Sequence, residues 1–409
     1  MDVKPLFRGI VALLLVAFMA SPVGVQALLD DDDDRDFWRD DRDFDPLPVD
    51  DRIVEDKEWR EVPFDTSAFD YSHEEMEELW PEIMRGLRAP FPDADYIEYL
   101  ANEYPHAMED VDTFEEGEYE EFSRQVLDVW AMFFRGDFRE ARDTGRELGP
   151  LGMMPGYLSQ IMYAIYLAER QSDKYQLLQH VANEVDEYFE LIQELKEDDD
   201  MRARETAALV LLGHAYAIAR IAEESPIPVA IHRGYIQLVK DAADEIIEII
   251  PEHPLANAFL AGVDAGIMRR VGRGTGRLTY GARTRTVNEA FAKAFEEAPD
   301  VPILKYEYAN ALLYMSRRRE LDRALELLEA TTRFNPIFSM DALDTMYAFK
   351  RLQEIRLFDE EYESFRRFER DRRNFTEVSD RNLTNVLTPV LNMDMLENPE
   401  EYKLPERDW

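Results

Sequence analysis

From Glu118 onward, apolar residues return every three to four positions almost without a break. That is the period of a helix that buries one face. The pattern predicts helices at about 118–135, 137–148, 154–170, 173–196, 203–223, 228–250, 254–271, 284–297, 302–316, 320–333, 339–357 and 359–373. Upstream, Ser72-His73-Glu74-Glu75 has the form of a capping box, in which hydroxyl and carboxylate satisfy orphan backbone donors. Met76, Leu79, Ile83 and Leu87 follow it at helical spacing, and a shorter helix after Pro92 carries Tyr96, Ile97 and Leu100. No segment reads as a strand, and there is no Asn-Gly hairpin turn. Short connections between successive helices imply antiparallel neighbours. The expected fold is therefore all-α, built of stacked antiparallel helical hairpins.

The N-terminal part follows other rules. Lys4 and Arg8 precede an unbroken apolar run from Ile10 to Ala20, and Val25-Gln26-Ala27 offers a cleavage site. These are the three parts of a secretory signal. The run is shorter than the roughly 20 apolar residues of a spanning helix, so cleavage after Ala27 and a periplasmic or secreted destination are expected. No later stretch is expected to span a membrane. From Leu28 to about Thr66 aspartate dominates, with Asp30 to Asp34 uninterrupted and Phe37, Trp38, Phe44 and Trp59 scattered through it. Charge this dense argues for a solvated spacer, and no Asp-rich calcium loop with its distal Glu is present. The expected plan is a signal peptide (1–27), an acidic, mostly disordered spacer (28–66), short helices (67–117), a helical repeat domain (118–373) and a C-terminal tail (374–409).

Composition narrows the function classes. With 47 Lys plus Arg against 87 Asp plus Glu, the net charge is −40, which disfavours nucleic acid and anionic membrane surfaces as partners. Only nine of the 47 cations are lysine, and acid excess with few lysines points to a high-salt habitat, where self-repulsion is screened. Urea midpoints should then rise from low to multimolar salt; a midpoint independent of salt would remove that expectation. The absence of cysteine rules out disulfides, thiolate catalysis and a lipidated N-terminal cysteine.

Between 252 and 336 a repeat becomes explicit. Phe291, Ala294 and Pro299 stand as a large residue, a small residue and a helix-ending proline; Ala324, Leu328 and Pro336 repeat the sequence, with Thr331 in a second small position. Leu260-Ala261 and Ala309 supply the small residues of first helices, and Gly136-Asp137-Phe138 with Ala141 forms a turn into a second helix. Small residues admit close helix approach, bulky ones fill the groove, and proline ends the second helix. In these residues the chain resembles the tetratricopeptide-repeat superfamily over about 118–373. The spacing from Pro251 to Pro299 is 48 and from Pro299 to Pro336 is 37, against a period of about 34. The resemblance implies a curved stack whose concave face is lined by first helices, with Tyr306, Asn310 and Tyr314 facing the groove. In size and export the chain also distantly resembles the exported accessory components of periplasmic solute transporters, without their lipid-anchoring cysteine.

One segment departs from the acidic background. Between Asp264 and Glu289 there is no acidic residue but there are six arginines: Arg269, Arg270, Arg273, Arg277, Arg283 and Arg285. Gly272, Gly274, Gly276 and Gly281 punctuate it, with Tyr280 among them. A glycine-rich loop permits close backbone approach, and arginine forks match carboxylate or phosphate geometry. The alternative is that these arginines pair with neighbouring acidic helices or with the acidic spacer. No catalytic or metal motif appears among the six histidines, His214 reads as a core residue, and no cofactor is expected. The expected function is a non-enzymatic, exported scaffold that engages a protein or ligand-bearing partner of the cell envelope through the groove and the arginine loop. A small-molecule carrier accessory to a transporter, and an enzyme with a dispersed carboxylate site, are the alternatives.

Overall fold

The computed structural model describes residues 49–108, 111–168, 170–225 and 227–361, and the regular secondary structure among them is entirely helical. The expected signal peptide, the expected spacer up to residue 48, the expected helix at 359–373 beyond residue 361 and the expected tail (374–409) lie outside the described residues. The N-terminal elements are α1 (Asp51–Val54), α2 (His73–Ile83) and α3 (Ala94–Glu103). The capping box that starts α2 is formed in both directions: Glu75 N–H donates to Ser72 Oγ at 3.3 Å, and Ser72 N–H donates to the Glu75 carboxylate at 2.8 Å.

The stack then runs α4 (Tyr119–Arg135), α5 (Phe138–Glu147), α6 (Gly149–Met162), α7 (Gln171–Val185), α8 (Phe189–Lys196), α9 (Met201–Glu224), α10 (Ile227–His232) and α11 (Tyr235–Ile249). It continues with α12 (Pro254–Val271), α13 (Arg273–Tyr280), α14 (Thr284–Glu297), α15 (Pro302–Ser316), α16 (Leu321–Thr332) and α17 (Ser339–Glu361). Two expected helices are interrupted. A 3-10 turn at Asp186–Tyr188 divides the first, and Gly234, at φ +67°, divides the second. α17 instead runs on through the break expected near residue 358, since neither glycine nor proline occurs from Ser339 to Glu361.

Packing follows one rule along the chain. Helices α4, α6, α9, α12, α15 and α17 each pack on the next of that series, and α5, α7, α11, α14 and α16 wedge between successive members. The small and large residues of the repeat lie at these contacts: Ala261, Phe291, Ala294, Ala309, Ala324 and Leu328 are all buried. α9 is long and apolar enough to cross a membrane by length and composition, contrary to the expectation that no later stretch qualifies. Here it is the central core helix, enclosed by α7, α8 and α11.

The series closes on itself. Phe338, just before α17, packs its ring against Phe133 and Phe134 of α4 at centroid distances of 6.2 and 5.8 Å. Ser339 Oγ donates to the Phe133 carbonyl at 2.8 Å, and Tyr71 Oη donates to the Ile337 carbonyl at 2.6 Å. The last described helix thereby returns to the first helix of the series.

The acidic spacer does not extend to Thr66. Residues 49–66 lie against α5 to α7, because apolar residues among the charges find a groove there. Val54 and Trp59 are buried, and Trp59 stacks on Tyr163 at 4.3 Å. The Arg139 guanidinium covers Trp59 and donates to the Val54 and Glu55 carbonyls at 3.1 and 2.7 Å.

Candidate functional site

The inward stripes of the closed series converge on a polar interior. Tyr216 and Arg220 stand one turn apart on α9, Tyr306 and Glu307 adjoin on α15, and Asp344, Tyr347 and Arg351 recur at helical spacing on α17. Between α6 and α7 a π-helical turn, Tyr163–Leu167, adds Tyr166. Such turns re-aim side chains and recur at functional sites. Arg220 reaches past α12 to donate to Glu307 at 3.0 Å and also donates to Tyr216 Oη at 2.8 Å. Tyr166 Oη donates to the Asp344 carboxylate, and Tyr347 Oη donates to the Ile165 carbonyl at 3.1 Å. The rings of Tyr166 and Tyr347 meet edge to face at 4.6 Å.

Burial sets the electrostatics. Burial raises the carboxyl pKa of Glu307, and the Arg220 guanidinium offsets only part of that rise. Burial raises Asp344 still further against the opposing hydrogen bond from Tyr166. Asp341, which pairs with Arg85 at 3.4 Å, is pushed up to about 6 by burial. The Tyr216 phenol is pushed up to about 12, again by burial first. Arg220 and Glu307 are hemmed in by protein, yet each keeps 25% of its side chain accessible.

α12 leaves open space along one face. Leu255, Phe259, Gly262, Val263 and Gly266 form its half-exposed stripe, and Phe259 meets the Tyr216 ring at 6.0 Å. A Cβ built on Gly262 or Gly266 would meet nothing within 4 Å. An apolar cavity between Leu100, Met154 and Val210 holds about 40 Å³, far below the roughly 300 Å³ at which small-molecule pockets begin. His214 beside it is a buried core histidine, held down to about 4 by burial.

The structure divides the residues singled out in the sequence. Tyr306 lies in the interior, and burial raises its phenol pKa. Asn310 is buried, and its Oδ1 accepts from Arg351 Nε at 2.8 Å, which orients that arginine. Tyr314 lies beneath the Arg269 guanidinium at 4.5 Å. Arg270 donates to the Ala222 and Ser225 carbonyls, both at 2.8 Å, so it satisfies the C-terminus of α9. The glycine-rich loop is largely a helix, α13. It begins after Gly272 and ends at Gly281, both at positive φ, and it packs closely on α12 where Gly276 approaches Ile267 and Met268. Arg273, Arg277, Arg283 and Arg285 remain exposed on and after it, with Arg285 paired to Glu289 at 2.8 Å and Arg273 bonded to Thr284 at 3.2 Å. Tyr280 is half-buried, and its carbonyl accepts from Lys240 at 2.8 Å.

Sequence reasoning missed Arg220, Glu307, Asp344 and Tyr166. For Arg220, Glu307 and Asp344 the one available signal was a charged residue at an inward position of a first helix, which becomes legible only once the helices are ordered around the interior; Tyr166, in the π-helical turn, carried no such signal. No family model, curated protein or solved structure matches this chain.

Proposed function

We propose that this protein is an exported, tetratricopeptide-like scaffold that holds a protein segment, or a ligand carried by a protein, in the groove between its first helices. The alternation of first and second helices supports the likeness to tetratricopeptide repeats, as does the burial of the small residues at their contacts. One observation carries the binding reading: the open strip over Gly262 and Gly266, beside the enclosed and still accessible Arg220–Glu307 pair. Backbone exposed at glycine lets a partner approach closely, while Tyr216, Tyr306 and Phe259 offer aromatic area at small entropic cost. Binding is assigned to the groove. The reading is one of recognition without chemistry, at the cell envelope, with a transporter component as one candidate partner.

Gly266→Leu tests it. The substitution adds a side chain where nothing stands in the way, and replacing a helical glycine gains about 0.5–1 kcal/mol. The expected result is unchanged or raised thermal stability together with loss of whatever protein or small molecule the wild type retains from a native envelope extract, read by mass spectrometry. Retention of the same set by both proteins would place binding elsewhere.

A further inference from the structure

Inside the closed series, carboxylates and cations do not balance. Arg220 serves two carboxylates, donating to Glu307 at 3.0 Å and to Glu223 at 2.8 Å. Asp341 has Arg85 at 3.4 Å, and Glu354 has Arg351 at 3.0 Å. Asp344 is only 2% exposed, yet no guanidinium or ammonium group among the described residues lies within ion-pair distance of it. Its Oδ1 accepts from Tyr166 Oη, and its Oδ2 accepts from none of the described residues. A carboxylate taken out of water is ordinarily paired. Glu307 is alike in part: Oε1 accepts from Arg220, while Oε2 accepts from no described residue and the side chain stays 25% accessible. The sealed polar atoms left without a partner include neither oxygen, so both keep a face open to a ligand.

Both oxygens border one space. After burial, the Asp344 pKa responds to the hydrogen bond from Tyr166 and to the charges of Asp341, Glu307 and Arg220. The Tyr216 phenol, again after burial, responds to Arg220, Glu307 and Asp344. These groups therefore stand within electrostatic reach of one another, although α9, α15, α17 and the π-helical turn supply them. Yet no hydrogen bond or ion pair joins Tyr166 and Asp344 on one side to Tyr216, Arg220 and Glu307 on the other. What is unfilled between them is acceptor capacity, and rings flank it: Tyr216 meets Phe259 at 6.0 Å, and Tyr166 meets Tyr347 at 4.6 Å. Acceptors beside aromatic faces suit a cation that carries several N–H donors. The described residues hold no group of three or more metal-ligating side chains, so the cation that fits is organic. An ammonium head presents three donors, and the half-exposed apolar stripe of α12 accommodates an alkyl stem.

We propose that this interior site binds an alkylammonium group, its N–H donors meeting Asp344 Oδ2 and Glu307 Oε2 and its stem lying along Tyr216 and Phe259. The group supplies the positive charge that Asp344 lacks. Its source is a lysine side chain of the held segment or a free amine. The proposal rests on the groove reading and names the ligand class of that same site.

The full chain is titrated calorimetrically in about 1 M sodium chloride, where surface charges are screened within roughly 3 Å. The probes are Nα-acetyl-lysine methylamide, spermidine and Nα-acetyl-norleucine methylamide, the last of which lacks the ammonium. The lysine probe or spermidine is expected to bind one to one and the norleucine probe not at all; the tighter amine identifies the source. Asp344→Asn should weaken amine binding at least about tenfold, the scale of a hydrogen bond to a charged group. Its melting temperature should be unchanged or raised, because no cation loses its partner. Glu307→Gln should weaken binding to a similar degree, and the exposed control Glu252→Gln should not. No binding of either amine, equal affinity for the norleucine probe, or full affinity in either folded site variant overturns the proposal. If Gly266→Leu loses its envelope partner while no amine binds, the groove reading survives and this inference fails. If amines bind but Gly266→Leu keeps that partner, the reverse holds.

Discussion

Phe338→Ala is expected to lower the unfolding free energy by about 3–5 kcal/mol, the usual cost of deleting a buried aromatic side chain. Phe338 is fully enclosed between Phe133 and Phe134, and it stands at the point where α17 returns to α4. The loss should therefore do more than leave a hole. With the closure weakened, α15 to α17 are held mainly by their own neighbours, and repeat stacks without a closing contact lose cooperativity from their ends. Urea unfolding followed by far-ultraviolet circular dichroism should show a lower midpoint and a shallower transition. A shift worth less than about 1 kcal/mol would mean that the closing contact contributes little to the stack.

Glu55→Gln is expected to have the second-largest effect, about 2–4 kcal/mol. Arg142 is 1% exposed, and Glu55 receives both of its terminal nitrogens at 3.0 and 2.6 Å and one nitrogen of Arg146 at 3.0 Å. Removing the carboxylate leaves a buried guanidinium with Asp143 as its remaining carboxylate partner. The range lies below that for a fully enclosed pair because Glu55 itself is 39% exposed and screened by solvent. The pH dependence follows from the same contacts. The hydrogen bond from Arg142 is the largest cause that lowers the Glu55 pKa, to about 2 from its ordinary 4.5. Its contribution is fully present above pH 4.5 and is lost as pH falls through 2. The wild type should therefore lose stability across that window more steeply than Glu55→Gln. Parallel slopes would assign the acid sensitivity to other groups.

How much was legible beforehand depended on the range of the interactions involved. α12, α14 and α15 have the boundaries the sequence predicts, because their limits are set locally by Pro254, Arg283, Pro302 and the alternation of apolar positions. The capping box at Ser72 is equally local. The arginine segment was legible as a charge reversal but not as a helix, since its four glycines suggest a loop by propensity. Packing of Gly276 against Ile267 and Met268 overrides that propensity. Likewise, Asp and Glu outnumber every other cue in residues 49–66, yet the burial of Val54 and Trp59 and the pairing of Glu55 with Arg142 dock the segment.

The sequence by itself determined the helical class, the positions of most helices, the alternation of small and large residues at their contacts and the local charge reversal. Each depends on neighbours within a few residues along the chain. Only the tertiary structure decided that α17 returns to α4, that Asn310 serves Arg351, and that Arg269 and Arg270 separate from the exposed arginines to cover Tyr314 and the end of α9. It also brought Arg220 to Glu307, 87 residues away, through an interior that exists only when the series of helices closes. Those pairings join residues tens to hundreds of positions apart, and their energy comes from burial in a shared space, which no local pattern of residue types encodes.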